Sequence, residues 1–183
     1  MINIPLSKLK AIFLYFANNT DRKYLGKVKM MKLFYFLDFG HVKKYGSPVT
    51  FDRYLNMGMG PIPSTVMNLV DVAVEENDKS FLSDVVGFET PTNTKMLRFT
   101  PKRDFGKNDE KLFTKTELEV LRSVSKRFYS ATADQIKGYS HNESPWKKTK
   151  LMDEIPYTLA ADDKDCQVTR EEIELLTRIT GSS

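Results

Sequence analysis

The stretch from Met30 to Phe39 constrains the fold most, because it is apolar on nearly every side of the helix that it predicts. A surface helix keeps one polar face, whereas a helix without such a face is buried by neighbours on several sides. This helix is predicted to run from about Lys27 to Lys44, since turn-forming residues follow at 45–48. We therefore expect a compact helical domain built around one buried central helix.

Shorter elements are predicted around the central helix. Apolar residues spaced i, i+3, i+4 and i+7 predict a first helix over Leu6–Ala17, and a third helix begins near Ser64. Three Thr-x-x-Glu/Gln capping boxes start further helices, which cover Lys115–Phe128, Ala133–Tyr139 and Arg170–Ile179.

The β content of the chain is predicted to be small. Alternating residues over Phe88–Thr100 indicate a β-hairpin that turns at Pro91–Thr94. Phe51–Pro63 is rich in glycine, methionine and proline, and within it Gly58–Pro61 is predicted to be a tight turn between two helices. Arg103–Lys111 is predicted to be a polar loop. The predicted fold class is mainly α with a small β-hairpin (α+β), in a single domain over residues 1–183.

The composition is that of a globular protein, with 40% hydrophobic and 28% charged residues. One cysteine excludes a disulfide framework and favours a reducing compartment. The N-terminus has no basic segment followed by an apolar one, and no apolar run approaches the roughly 20 residues that span a membrane. We expect a soluble, cytoplasmic protein. The net charge of +4 is only a weak indication of an acidic partner or nucleic acid.

Residues able to carry catalysis or hold a cofactor are sparse. The segment Gly58–Pro61 lacks the lysine of a phosphate-binding loop, and two histidines 100 positions apart do not make a metal site. Asp38 and His41 lie at i and i+3, where they could hydrogen-bond across one helical turn. They form either a general base oriented by a carboxylate or, as we favour, a polar pair at the edge of a buried helix. We expect no cofactor, no metal and no enzymatic activity.

The lysines of the central helix allow two interpretations. Lys27, Lys29, Lys32, Lys43 and Lys44 form either a basic stripe for nucleic acid or, more commonly, a solvated helix face. Lys32 is set among apolar residues, so its ammonium must find a carboxylate or a carbonyl.

Two further features leave alternatives open. The run Thr116–Tyr139 is compatible with a helix-turn-helix that presents Gln135 and Lys137 to bases, although ordinary helix packing is favoured. The single tryptophan, Trp146, is either a core residue that fixes a loop or an interface anchor.

Three motifs occur in an order that is informative as a set. Lys32–His41 reads Lys-Leu-Phe-Tyr-Phe-Leu-Asp-Phe-Gly-His, Gly60-Pro61-Ile62-Pro63 follows, and His141 and Pro145-Trp146 come far downstream. Together they resemble the SocA-like, or Panacea, antitoxin domain, also described as the phage-associated protein GepA. The resemblance covers about residues 9–146, and the C-terminal helix follows it.

The resemblance implies the antitoxin of a type II toxin–antitoxin system, a cytosolic protein that neutralises the toxin of an adjacent gene by direct binding. It implies no cofactor and no catalytic residue. A DNA-binding autorepressor, and an adaptor that delivers the toxin to a cellular protease, remain alternatives, and a membrane partner is not expected. We expect the signature residues to be structural; they are Lys32, Tyr35, Phe36, Asp38, His41, Gly60, Pro61, His141, Pro145 and Trp146.

The partner surface is expected beside the signature, because methionine side chains adapt to varied partners. The candidate residues are Met57, Met59, Trp146 and Lys147.

Overall fold

The central helix, α2 (Lys27–Tyr45), lies inside the protein in the computed structural model, which describes residues 5–181. Residues 1–4, part of the N-terminus for which no targeting signal was predicted, lie outside the described residues. Helix α2 packs against four others, Leu6–Asn19, Ser64–Glu76, Lys115–Arg127 and Ala133–His141, and against the strand Gly60–Pro63. The buried position predicted for this helix is confirmed, and Gly46 ends it in the left-handed conformation with φ of 83°.

The other helices are numbered in chain order. The α-helices are α1 (Leu6–Asn19), α3 (Ser64–Glu76), α4 (Lys107–Glu110), α5 (Lys115–Arg127), α6 (Ala133–His141), α7 (Ser144–Lys147) and α8 (Arg170–Thr180). Three 3-10 helices connect them, at Arg22–Tyr24, Asn77–Lys79 and Tyr157–Asp162.

Two antiparallel hairpins supply the β structure. In the first, β1 (Tyr54–Met57) pairs with β2 (Gly60–Pro63), with Leu55 opposite Ile62. In the second, β3 (Val86–Glu89) pairs with β4 (Arg98–Pro101). The outer edge of β1 is covered by residues 152–155, because the backbone of Asn56 exchanges hydrogen bonds with Met152 and Asp153. This cover satisfies backbone groups that an open edge would leave unpaired.

The fold class is confirmed as mainly α with a small β part, and the capping predictions are confirmed as well. Thr114, Thr132 and Thr169 each accept a hydrogen bond from the backbone nitrogen three residues later, and the glutamate or glutamine there bonds back. The hydroxyl and the returning side chain satisfy two of the donors that a helix start leaves free.

Three local predictions were wrong. The turn predicted at Gly58–Pro61 is present, but it connects two β-strands and not two helices, and residues 152–155 add a third extended segment beside this hairpin. The polar loop 103–111 contains α4, whose start is fixed when Asp109 accepts a hydrogen bond from the Gly106 nitrogen. The second strand of the later hairpin is displaced two residues, to Arg98–Pro101, since Phe99 donates its backbone N–H to the carbonyl of Leu25.

The packing around Gly60 can be tested by mutation, with Gly58 of the same hairpin as the matched control. Gly60 has φ of 96°, and a Cβ there would lie 2.9 Å from Lys32 Cε and 3.1 Å from His141 Nε2. Gly58 has open space around its Cβ position. We expect Gly60→Ala to lower the free energy of unfolding by about 1–3 kcal/mol, from backbone strain and crowding, and Gly58→Ala to change it by less than about 0.5 kcal/mol. Urea unfolding measures both; equal effects would contradict the packing described for Gly60.

Candidate functional site

The signature lysine, Lys32, is completely buried on α2, and its ammonium donates to the carbonyl of Pro61 at 2.6 Å. The carbonyl partner predicted from sequence is therefore confirmed. Burial, with a further contribution from the nearby charge of Lys137, lowers the pKa of Lys32 to about 7. This contact fixes β2 against the central helix.

The prediction of a solvated lysine face on α2 was wrong. Lys29 and Lys43, like Lys32, are buried, and each finds a partner far along the chain. Lys29 donates to the carbonyl of Tyr129 at 2.8 Å. Burial lowers its pKa to about 8, although Asp21 raises it. The physical reason is that α2 is covered on several sides, so Lys29, Lys32 and Lys43 point into neighbouring segments. Only the lysines near its ends, Lys27 and Lys44, reach water.

Lys43 is the centre of a charge cluster. Its ammonium lies 2.7 Å from Glu143, 3.0 Å from Asp163 and 3.1 Å from Asp165. Burial alone would lower the pKa of Lys43, but these carboxylates raise it well above the ordinary lysine value. Glu143 also accepts from the hydroxyl of Tyr35 at 2.6 Å, so two residues of α2, Lys43 and the signature residue Tyr35, hold the segment that begins α7.

Asp38 holds the loop that follows α2. Its fully buried carboxylate accepts from the backbone nitrogens of Val49 and Thr50, both at 2.8 Å, and from the hydroxyls of Thr50 and Tyr54. Burial raises the pKa of Asp38 to about 6, although each of these hydrogen bonds favours the ionised form. Because four donors bond to it, the carboxylate of Asp38 has a structural role.

His41 does not bond to Asp38, so the hydrogen bond predicted between them was wrong. Nδ1 of His41 lies 2.6 Å from the carbonyl of Ser47, and Nε2 lies 3.0 Å from the hydroxyl of Thr116. Burial lowers the pKa of His41, which favours the neutral ring with Nδ1 as the donor. The pair separates because the loop folds back over Asp38 while α5 packs against His41.

The downstream signature residues meet the first hairpin. The rings of His141 and Trp146 stack in parallel with centroids 3.8 Å apart. The side-chain nitrogen of Asn56 donates to the carbonyls of Trp146 and Thr149, while buried Pro145 lies in the first turn of α7. Trp146 is half-buried, and these contacts favour a role in fixing the hairpin.

The two residues predicted to contact bases, Gln135 and Lys137, both bond to other residues of α6 or its cap. The side-chain oxygen of Gln135 accepts from the backbone nitrogen of Thr132 and caps α6. Lys137 forms an ion pair with Asp134 on the same helix. Phe36, on α2, packs against Phe128 at the end of α5, with ring centroids 4.5 Å apart. The two helices are therefore joined to the core by ordinary packing.

An apolar groove of about 680 Å³ opens beside the first hairpin. Its lining combines the start of α2, the hairpin and α3, and four of the residues are methionines: Lys27, Val28, Met31, Met57, Gly58, Met59, Ile62 and Met67. Met59 is 45% exposed, and the ion pair between Lys27 and Asp71 adjoins the groove. We refer to these lining residues as the methionine groove.

The candidate partner residues divide between two places. Met57 and Met59 line the methionine groove, whereas Trp146 and the exposed Lys147 do not. Successive residues of a strand face opposite sides. Asn56, which bonds to Trp146, and the next residue, Met57, therefore lie on different sides of β1. Sequence reasoning missed Met31 and Met67 as groove residues, although the eight methionines of the chain were a visible signal.

The described residues set limits on other kinds of site. Within residues 5–181, no group of three His, Cys, Asp or Glu side chains is placed to hold a metal ion. In the same part of the chain, no helix is both long enough and apolar enough to cross a membrane.

A family model described as "Antitoxin SocA-like, Panacea domain" matches residues 30–147, which run from α2 through α7. The match includes every signature residue described above. The protein is thus of the antitoxin class, and the chain belongs to the SocA-like Panacea family. Neither the search of curated proteins nor that of solved structures gave a match.

Adjacent lysines of α2 test the charge cluster. Lys43→Met leaves the poorly exposed Glu143 and Asp163 without their cation, so we expect a loss of about 3 kcal/mol or more of unfolding free energy. The exposed pair of Lys44 with Glu119 is the control, since Lys44→Met should change the unfolding free energy far less than Lys43→Met does. Urea unfolding gives both values. Similar small losses would mean that the cluster does not hold the fold.

The buried lysine predicts a pH dependence of stability. Its pKa is about 7 in the folded protein against 10.5 as the ordinary value. At pH values between about 7 and 10.5, Lys32 is protonated in the unfolded chain and neutral in the folded chain, so raising the pH stabilises the folded protein. We expect the stability of the wild type, relative to Lys32→Met, to rise by about 1.4 kcal/mol per pH unit above pH 7.

The control for this pH profile is Lys115→Met, which removes an exposed lysine of α5. Its stability difference from the wild type should stay constant across the same range, as measured by urea unfolding at several pH values. A flat profile for Lys32→Met as well would show that Lys32 remains protonated in the folded protein.

Proposed function

We propose that this protein neutralises a protein toxin, encoded by an adjacent gene, by binding it directly at the methionine groove. The family match gives the class of antitoxin, and the groove gives the contact surface that suits it. The single observation that carries the proposal is the exposed, almost wholly apolar lining of the groove in a protein whose family is defined by antitoxins.

The chemistry of the groove indicates its occupant. Apolar side chains from three elements make up nearly all of the lining, and its one charged residue, Lys27, is paired with Asp71, so binding there depends on the burial of apolar surface. Met57 and Met59 stand on the hairpin, opposite Met31 on α2 and Met67 on α3. Flexible, polarisable methionine side chains suit a protein surface with protruding apolar residues.

We propose further that neutralisation requires no catalysis. Asp38 and His41, the one pair considered for a hydrolase, each have a full set of structural partners and do not contact each other. Cys166 lies beside the backbone carbonyls of Lys43 and Val168, with no histidine among its hydrogen-bond partners in the described part of the chain. The protein then acts as a cytoplasmic binding module. Delivery of the bound toxin to a protease would use the same contact surface.

Co-expression tests the proposal. The product of the adjacent gene should arrest growth alone and should be harmless with the wild-type protein. We expect Met59→Glu to abolish rescue, and to weaken the purified complex by at least about 100-fold, because a carboxylate in an apolar interface is not solvated. Isothermal titration calorimetry measures the complex, and circular dichroism verifies the fold.

The control is Leu112→Glu, which places the same charge at an exposed leucine outside the groove lining. It should leave rescue and affinity unchanged. If the adjacent gene is harmless, or if its toxicity is unaffected by this protein, the proposed function is wrong. Equal loss with both variants would reject the groove as the contact surface.

A further inference from the structure

A second surface, on another part of the molecule, joins the 3-10 helix Arg22–Tyr24 to the end of α5. The backbone nitrogen of Asp21 donates to the carbonyl of Tyr129 at 3.0 Å, and the buried Lys29 ammonium donates to the same carbonyl at 2.8 Å. These two bonds bring together six exposed residues that we call the basic–tyrosine patch: Arg22, Lys23, Lys126, Arg127, Tyr129 and Tyr139.

The four cations of the patch form no ion pair with the part of the chain that the structure describes. Among residues 5–181, no carboxylate lies within ion-pair distance of any of them, whereas Arg122, on the same helix as Lys126 and Arg127, pairs with Glu110. Asp21, which precedes the patch in sequence, accepts from the backbone nitrogen of Lys23 and caps the 3-10 helix. The charged residues of the patch itself are therefore all cations.

Arg127 is held in a fixed position by aromatic rings. Its guanidinium carbon lies 4.7 Å from the ring centroid of Phe128, 5.1 Å from that of Tyr139 and 5.4 Å from that of Phe36. Cation–π contacts of this kind orient the guanidinium without neutralising it. An open cleft of about 620 Å³ adjoins Arg127 and Tyr139.

The tyrosines distinguish this surface from a merely solvated basic one. Tyr129 is 53% exposed and Tyr139 is 51% exposed, so flat aromatic faces stand among the cations. Lys126 and Arg127 also compensate the dipole at the end of α5, but the dipole accounts neither for Arg22 and Lys23 nor for the exposed rings. Alternating cations and stacking faces are what unpaired bases and their phosphates require.

We infer that the basic–tyrosine patch binds single-stranded nucleic acid, with bases stacked on Tyr129 and Tyr139 and phosphates at the four cations. Recognition is of the backbone and the base faces, so it requires no particular sequence. An acidic protein segment would match the charges but would leave the tyrosine faces unused. This inference concerns a different surface from the methionine groove and does not depend on the proposed function.

Fluorescence anisotropy with the full chain tests the inference, using labelled oligouridine RNA and oligothymidine DNA of about 20 nucleotides. We expect both strands to bind at low salt, with an affinity that falls as salt rises. Arg22→Gln/Lys23→Gln should weaken binding at least about fivefold and reduce the slope of log affinity against log salt by about 1.4, since each phosphate contact contributes about 0.7.

Tyr129→Ser separates stacking from charge, because the exposed ring can be removed while the backbone carbonyl keeps its bonds. It should weaken binding by about fivefold or more with an unchanged salt slope. The matched control, Lys115→Gln/Lys164→Gln, removes two other exposed lysines and should change affinity less than about twofold. Toxin rescue should survive in the patch variants.

Five results would overturn the inference. They are no binding at low salt, equal losses in the control variant, tighter binding of duplex DNA than of single strands, displacement of the oligonucleotide by polyglutamate at equal charge, and loss of toxin rescue in Arg22→Gln/Lys23→Gln. Displacement by polyglutamate would assign the patch to an acidic protein partner, and loss of rescue would assign it to the toxin interface. Binding of only one of the two strands would support the inference and identify the nucleic acid.

Discussion

The structure depends on the burial of α2 together with its charged side chains. Lys29, Lys32, Asp38, His41 and Lys43 lie on one buried helix, and each would be costly if it were left without a partner. Each therefore binds a different segment of the chain, often 10 to 120 residues away. Because these partners are backbone carbonyls, backbone amides and side chains at fixed positions, α2 determines where the loops and neighbouring helices lie.

This arrangement explains what the family signature describes. The signature residues comprise five positions of α2, four of them polar, together with residues of the first hairpin and of α6–α7 that contact α2 directly or through a neighbour. Lys32 fixes Pro61, Tyr35 fixes Glu143, and the stacked rings of His141 and Trp146 lie beside Gly60. A signature of this kind can be kept while the exposed surfaces change. The methionines of the groove lie outside the signature, as is expected of a surface that must fit one particular partner.

The sequence predicted those parts of the fold that rest on local chemistry. The capping boxes and the apolar periodicity of α1, α2 and α5 each involve neighbours within a few residues, so they were readable in advance. The start of α3 was placed correctly, but its cap is Asp52, whose carboxylate accepts from the backbone nitrogens of Thr65 and Val66. No local sequence pattern indicates that a helix is capped by a residue 12 positions before its first residue. In the same way, no local pattern linked Lys43 to Glu143.

The candidate surfaces were only partly predictable, for the same reason. Met57 and Met59 could be named from composition, but the groove also needs Met31 and Met67 from two helices. The basic–tyrosine patch left a signal that was overlooked: Arg22-Lys23-Tyr24 and Lys126-Arg127-Phe128 are both basic pairs followed by an aromatic residue. The sequence did not indicate that these two segments meet. They are joined through the backbone carbonyl of Tyr129, which accepts from Asp21 and Lys29.

The two proposed surfaces share α2, which bears on whether they influence each other. Val28 and Met31 line the groove, and Lys29, between them in sequence, anchors the patch through Tyr129. Coupling between sites requires an element with two arrangements that both ligands bias. A helix whose buried charges are all satisfied in one arrangement does not provide such an element, because a shift along its axis would break several of these bonds together. The groove and the patch should therefore bind their partners independently.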